Sequence, residues 1–148
     1  MKLFKIKKSK IDKNGLYANR DIKKGTRILE YKGKIISVKK SETDPKFDNG
    51  KAIYLFNINK LYDLDGDFKF NLARLINHSC EPNCEVLGSG LKIWIYAMRN
   101  IKKGEELSYD YGFSYDEDYK NYPCKCGTEK CIGYIVREGS RWRLAKKK

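Results

Sequence analysis

A chain of 148 residues, 41% hydrophobic and 13% aromatic, is long enough to bury one core, which excludes a disordered polymer despite 34% charged residues. No stretch stays apolar over the width of a bilayer, and the opening MKLFKIKKSK lacks the apolar run of an export signal, so a soluble intracellular protein is expected. The net charge of +13 keeps a polyanion partner open, but only seven of the 32 basic residues are arginine and the lysines stand in scattered pairs, a pattern closer to a solvated surface than to a base-reading one.

In chain order, β-type runs are expected at Leu16 to Asn19, Arg27 to Tyr31, Lys34 to Val38, Ile53 to Ile58, Leu91 to Met98 and Leu107 to Asp110. The clearest is Leu91-Lys92-Ile93-Trp94-Ile95-Tyr96, which partly alternates and is rich in β-branched and aromatic side chains, as a half-buried strand is. Only Asn71 to Ile76 reads as a short helix, with Asn71 as its N-cap. Short strands separated by turn signals predict a mainly β domain.

One octet returns. Ala18-Asn19-Arg20-Asp21-Ile22-Lys23-Lys24-Gly25 recurs as Ala97-Met98-Arg99-Asn100-Ile101-Lys102-Lys103-Gly104, 79 residues later. Two copies are too few for a solenoid and predict two similar strand–turn–strand corners. At the C-terminus, Arg141-Trp142-Arg143 with Lys146-Lys147-Lys148 flanks an aromatic with cations, which makes this basic tail the best candidate for a nucleic-acid contact.

Five cysteines without an export signal point to reduced thiols or a metal site rather than to disulfides. Cys124-Lys125-Cys126 followed by Cys131 places three thiols in one Gly-containing loop, a spacing that suits a tetrahedral zinc. Unliganded cysteines prefer burial, and the intervening Gly127, Thr128, Glu129 and Lys130 are not core residues. The fourth ligand is open at this level among Cys80, Cys84 and His78. A nucleophile–base pair of Ser79 and His78 is excluded, because adjacent residues seldom face each other and no acidic group is placed to orient the histidine.

Four segments, taken together and in order, resemble the SET-domain protein-lysine methyltransferases that carry a post-SET zinc motif. They are Asn14-Gly15-Leu16-Tyr17-Ala18; Tyr54-Leu55-Phe56; the run Asn71 to Asn83, which includes Arg74, Asn77-His78-Ser79-Cys80 and Pro82; and Gly104-Glu105-Glu106-Leu107-Ser108-Tyr109-Asp110-Tyr111 followed by the cysteine loop. The resemblance runs from about Gly15 to Ile135. It implies a SET-domain fold of several small sheets with a C-terminal pseudoknot, in which a C-terminal loop threads the Asn77 segment, and a short helix, closed by a zinc-bound loop. The implied division is a SET domain over 1–118 with its catalytic core about 4–113, a post-SET loop over 119–136 and a basic tail over 137–148.

The resemblance further implies S-adenosylmethionine as cofactor, held by the backbone of Asn14, Gly15 and Leu16, by Asn77 and His78 at its amino group and adenine, and by Tyr54 and Tyr111. It implies one structural zinc on Cys80, Cys124, Cys126 and Cys131, leaving Cys84 a spare thiol. Tyr111 is the implied catalytic residue, Tyr54 lines the lysine channel, and Tyr109 stands where a tyrosine hydroxyl restricts the product to monomethyl-lysine. Asp110 and Arg74 are expected to be structural. Lys13 departs from the family, which has glycine there, and no pre-SET cysteine cluster is present. The implied partner is a protein lysine, on a histone or another basic DNA-associated protein, in chromatin or in a prokaryotic cytoplasm, with monomer and homodimer both open. Two other readings compete: a non-catalytic SET module that binds protein or nucleic acid, and a small zinc-stabilised nucleic-acid binder.

Overall fold

The structure, a computed structural model, describes residues 2–47, 54–113, 115 and 117–145; the expected strand start at Ile53 and the terminal Lys146 to Lys148 lie outside the described residues. Among the described residues ten strands follow in chain order: β1 (Phe4–Lys8), β2 (Asn14–Ala18), β3 (Arg27–Tyr31), β4 (Lys34–Ser37), β5 (Leu55–Asn57), β6 (Tyr62–Asp65), β7 (Asn77–His78), β8 (Cys84–Ser89), β9 (Lys92–Ala97) and β10 (Ser108–Tyr109). Two short α-helices, α1 (Val38–Thr43) and α2 (Trp142–Ala145), join several 3-10 turns. These small sheets and few helices are the mainly β, SET-type architecture expected. None of the described helices is long and apolar enough to cross a membrane.

The chain divides into two compact units. The first comprises Met1–Thr26, Leu75–Glu85 and Ala97–Lys148. Here β1 pairs antiparallel with β2, from Phe4 opposite Ala18 to Lys8 opposite Asn14. Phe4-Lys5-Ile6-Lys7 alternates, yet β1 is not among the expected strands, and four of its five residues are exposed. The next strand, β2, buries Gly15, Leu16 and Ala18, and burying a leucine fully contributes roughly 1.5–3 kcal/mol. On its other side, Leu107 N–H donates to Leu16 O at 2.7 Å and Ala18 N–H to Glu105 O at 2.8 Å. The two copies of the repeated octet meet as an antiparallel bridge between Ile22 and Ile101, confirming that both are corners.

The second unit comprises Arg27–Arg74 and Val86–Tyr96. One sheet has the order β3-β9-β8 and another β4-β6-β5. The alternation read in β9 is real: Ile93, Ile95 and Ala97 are buried and the residues between them are not. By contrast β6, Tyr62-Asp63-Leu64-Asp65, buries two carboxylates, Asp63 under Ser41 and Asn57 and Asp65 under Lys46. The expected strand through Val38 stops at Ser37, whose hydroxyl accepts the Lys40 N–H and starts α1. The expected helix at 71–76 is a 3-10 turn, Leu72–Leu75. Its presumed cap, Asn71, works elsewhere: its Nδ2 donates to Gly66 O at 2.9 Å and its Oδ1 accepts Lys32 N–H at 3.0 Å. Arg74 does pin this turn, with Nε donating to Phe68 O at 2.9 Å.

Gly66 lies tight under this arrangement. A Cβ there would run into the Tyr31 ring and lie 2.7 Å from the Asn71 amide nitrogen. Gly66→Ala is therefore expected to destabilise the chain by about 1–3 kcal/mol, read as a lower urea midpoint at unchanged slope; an unshifted midpoint would show that Tyr31 and Asn71 yield without cost.

Candidate functional site

The first unit gathers the polar motif residues on one seam. β7 and β10 run parallel, Asn77 beside Ser108 and His78 beside Tyr109. Side chains reinforce so short a pairing. The Asn83 amide grips the second strand at two points, Nδ2 donating to Glu106 O at 2.8 Å and Oδ1 accepting Ser108 N–H at 2.9 Å. His78 Nδ1 accepts Tyr111 N–H at 3.1 Å, and its Nε2 faces Cys80 Sγ at 3.7 Å. The Tyr111 hydroxyl donates to Ile76 O at 2.6 Å, which leaves its oxygen lone pairs as acceptors. Its ring stands 4.9 Å from that of Tyr109, 5.4 Å from His78 and 5.7 Å from Phe113.

Beside this seam Glu106 organises a polar hub. The Ser9 hydroxyl lies 2.8 Å from both of its carboxylate oxygens, Tyr17 donates to Oε1 at 3.2 Å and Asn77 Nδ2 donates to Oε2 at 2.9 Å. Partial burial, and then the Glu106 charge, push the Tyr17 phenol above its ordinary value and keep it a donor. The Asn77 amide nitrogen also lies within 3.0 Å of Ser9 Oγ and 3.1 Å of Asp12 O. Asn77 is 8% exposed. With its nitrogen so held, Oδ1 is oriented away from the carboxylate and accepts no hydrogen bond among the described residues. That leaves an oriented acceptor suited to an ammonium donor.

Gly15 is needed here for a reason other than ligand approach: a Cβ would run into the Glu106 carboxylate and come within 3.2 Å of Ser9 Cβ. Lys13 occupies a left-handed conformation at φ 43°, the only non-glycine residue to do so among those described. That conformation costs an L-residue about 1–2 kcal/mol, which accounts for the glycine the family carries at this place. The loop is closed by Ser9 N–H donating to Lys13 O at 2.7 Å.

The sulfurs of Cys80, Cys124, Cys126 and Cys131 all lie within 4.8 Å of one another. Bonds of ~2.3 Å in a tetrahedral zinc–thiolate site give sulfur–sulfur edges of about 3.8 Å, and Cys80 and Cys124 are 3.8 Å apart. The hydrogen bond between the two sulfurs shares one proton, holding the Cys80 thiol well below its ordinary value and the Cys124 thiol above it. A dication would replace that shared proton. Gly133 N–H approaches Cys131 Sγ at 3.5 Å, and the Thr128 hydroxyl lies 3.3 Å from Cys126 Sγ. Cys84 is 1% exposed and stands outside the cluster. Burial pushes its thiol up to about 12. The donor set thus fits zinc, and the sulfur that joins the three loop cysteines is that of Cys80, not of Cys84.

Asp110 and Arg141 fasten the C-terminal segment to this centre. The Arg141 guanidinium donates to Cys80 O, Val136 O and Asp110 Oδ2, each at 2.9 Å. Asp110 also accepts the N–H groups of Gly112 at 2.8 Å and Glu138 at 3.0 Å. Arg141, read from the sequence as a tail cation, is 9% exposed and turned inward.

Asn14, Gly15 and Leu16 thus lie in β2, Asn77 and His78 in β7, Tyr109 in β10 and Tyr111 two residues beyond, all in one unit. Tyr54 belongs to the other unit, where its carbonyl accepts from the Tyr31 hydroxyl at 3.1 Å and from Gly66 N–H at 2.9 Å. Sequence reading missed Ser9, Asn83, Glu106 and Arg141. Asn83 and Glu106 sat inside quoted motifs, but nothing local shows which backbone or amide they meet.

Comparison with known proteins agrees with this geometry. The family model described as SET domain matches residues 13–112. Histone-lysine N-methyltransferase trr of Drosophila melanogaster is 42% identical over 132 residues, covering 85% of this chain and 5% of the relative. Histone-lysine N-methyltransferase 2D of Homo sapiens is 40% identical over 132 residues, covering 85% of this chain and 2% of the relative. The Schizosaccharomyces pombe histone-lysine N-methyltransferase, H3 lysine-4 specific, is 42% identical over 135 residues, covering 86% of this chain and 14% of the relative. The chain therefore spans only a small part of the length of the relatives it matches.

Zinc analysis of the purified chain is expected to find about one ion per chain. Chelation should lower Tm by about 10 °C or more, because structural metal binding contributes directly to folding. Cys126→Ser should lose the ion; a melting curve indifferent to chelator would exclude a metal at these sulfurs.

Proposed function

The chain belongs to the SET-domain family, and we propose that it transfers a methyl group from S-adenosylmethionine to a lysine of another protein. The observation that supports this most is the joining of Asn77, Tyr109 and Tyr111 on one seam, with the acceptor oxygen of Asn77 oriented by Glu106. When bound, S-adenosylmethionine supplies an electrophilic methyl group on a sulfonium. Asn77 Oδ1 would accept from its ammonium, and the Asn14–Leu16 backbone and His78 would complete the cradle. The His78 ring itself is engaged by Tyr111 N–H and Cys80. Zinc on the four cysteines would be structural: Cys80, two residues beyond His78, would then be fixed and brace the seam.

The incoming lysine must present a lone pair. At pKa ~10.4 it is neutral about once in 2,500 at pH 7. An amine packed against the Tyr109, Tyr111 and Phe113 rings would lose hydration, which disfavours the ammonium form. The Tyr111 hydroxyl, with its proton held by Ile76 O, offers its oxygen to orient the reacting groups. The Tyr109 hydroxyl restricts room for further methyls, which gives a monomethylated product. Tyr54 has a substrate-binding role by the same resemblance. The SET portion is assigned to 1–118, the zinc loop to 119–136 and the basic segment to 137–148. The substrate is a histone or another basic DNA-associated protein, by analogy with what the relatives' names say they modify, in a nucleus or a prokaryotic cytoplasm.

Tritium transfer from labelled S-adenosylmethionine to core histones, nucleosomes and a basic prokaryotic extract should label lysine. Tyr111→Phe should lower kcat by about a hundredfold or more with cofactor affinity retained, and absence of label from every acceptor would remove the enzyme reading. Mass spectrometry of the product should show monomethyl-lysine from the wild type and additional di- and trimethyl-lysine from Tyr109→Phe; an identical product mixture refutes the role given to that hydroxyl. Glu106→Gln should weaken cofactor binding about tenfold at unchanged zinc content, measured by calorimetry, whereas equal affinity would free Asn77 from dependence on the carboxylate.

A further inference from the structure

The repeated octet has no part in the site above, yet its two copies fold against each other with local twofold symmetry. Ile22 and Ile101 exchange both main-chain hydrogen bonds at 2.8 Å. Gly25 N–H donates to Ala97 O at 2.8 Å, and its counterpart Gly104 N–H donates to Ala18 O at 2.9 Å. Lys24 N–H donates to Asn100 Oδ1 at 2.9 Å, and Lys103 N–H to Asp21 Oδ1 at 2.8 Å. Both glycines are left-handed, at φ 87° and 94°. The isoleucines at the centre are 3% and 1% exposed, so the doubled corner is a fixed element rather than a pair of loose turns.

Its outer side is cationic. Arg20, Lys23, Lys24, Arg99, Lys102 and Lys103 are exposed. The two carboxylates of the corner are engaged locally: Asp21 caps Lys103 N–H, while Glu105 accepts Lys102 N–H and pairs with Arg99 at 3.0 Å. Among the described residues no carboxylate forms an ion pair with Arg20, Lys23, Lys24, Lys102 or Lys103. The symmetry therefore doubles a pair of exposed lysines that form no ion pair, on a rigid frame.

We propose that this doubled corner is a docking surface for the phosphate backbone of duplex DNA. Duplex DNA carries one negative charge per about 1.7 Å of axis. Lysines on a fixed frame meet such a lattice as point charges, giving sequence-independent contact rather than base readout. The surface stands independently of the methyl-transfer reading. It also supplies a bridge by which a chain of +13 can approach a basic protein already bound to DNA.

The test uses the 148-residue chain without cofactor and a labelled mixed-sequence duplex, followed by fluorescence anisotropy between about 50 and about 200 mM salt. Changing Lys23, Lys24, Lys102 and Lys103 together to Gln should make the slope of log K against log salt shallower by about 3–4 and weaken binding about tenfold or more. The same four positions changed to Arg should keep the slope. Lys32, Lys34, Lys39 and Lys40, all exposed and outside the corner, changed to Gln should alter it by less than about half as much. Melting temperatures matched to wild type certify the fold of each variant. Equal losses in the two Gln variants would show a diffuse basic surface and overturn the proposal, as would an unchanged corner variant. Corner-dependent binding of polyglutamate without binding of the duplex would overturn it in favour of an acidic protein partner.

Discussion

The parallel contact of Asn77-His78 with Ser108-Tyr109 is the constraint on which the first unit turns. A ladder this short contributes little, since each hydrogen bond is worth only about 1 kcal/mol net. It persists because buried and half-buried side chains close around it: the Asn83 amide across Glu106 and Ser108, the His78 ring on Tyr111 N–H, and the Tyr111 hydroxyl on Ile76 O. Each of these groups would be left unsatisfied if the seam opened, at about 1–3 kcal/mol apiece. The seam is therefore cooperative, and the same bonds that hold it orient Tyr111.

The sulfur cluster and the C-terminal segment extend that logic. Cys80 follows the seam by two residues, so whatever fixes its sulfur also fixes the strand. Arg141 reaches the Cys80 carbonyl from the far end of the chain and meets the Asp110 carboxylate, which stands between the two tyrosines. Burying a guanidinium costs several kcal/mol. Here the cost is offset by two main-chain acceptors and an opposite charge. The segment beyond the last cysteine thus braces the seam up to Arg141.

Charge is distributed with the same economy. Glu106 draws Ser9, Tyr17 and Asn77 together on the inside, and Gly15 is glycine because that carboxylate leaves no room for a Cβ. In the repeated corner the acids cap backbone and the lysines face outward. A net charge of +13 read along the sequence as scattered pairs becomes, in space, at least one concentrated patch.

By itself the sequence determined the family, the mainly β class, the strands β3 and β9 and three of the four clustered sulfurs, because these rest on residue type, local periodicity and short spacings. It did not mark β1 or β6 among the expected strands: both alternate over four residues, but β1 stays largely exposed and β6 buries Asp63 and Asp65, which only polar neighbours make acceptable. It misassigned the turn at 72–75 and the role of Asn71, because the cap expected of that side chain was outcompeted by Gly66 and Lys32. The choice of Cys80 over Cys84 followed from family likeness and became a physical statement only when folding placed one thiol among the other sulfurs and buried the other alone. Glu106, Arg141 and the twofold corner were decided by tertiary structure alone: each acts on residues 29 to 97 positions away in the chain, and no local pattern encodes a partner at that range.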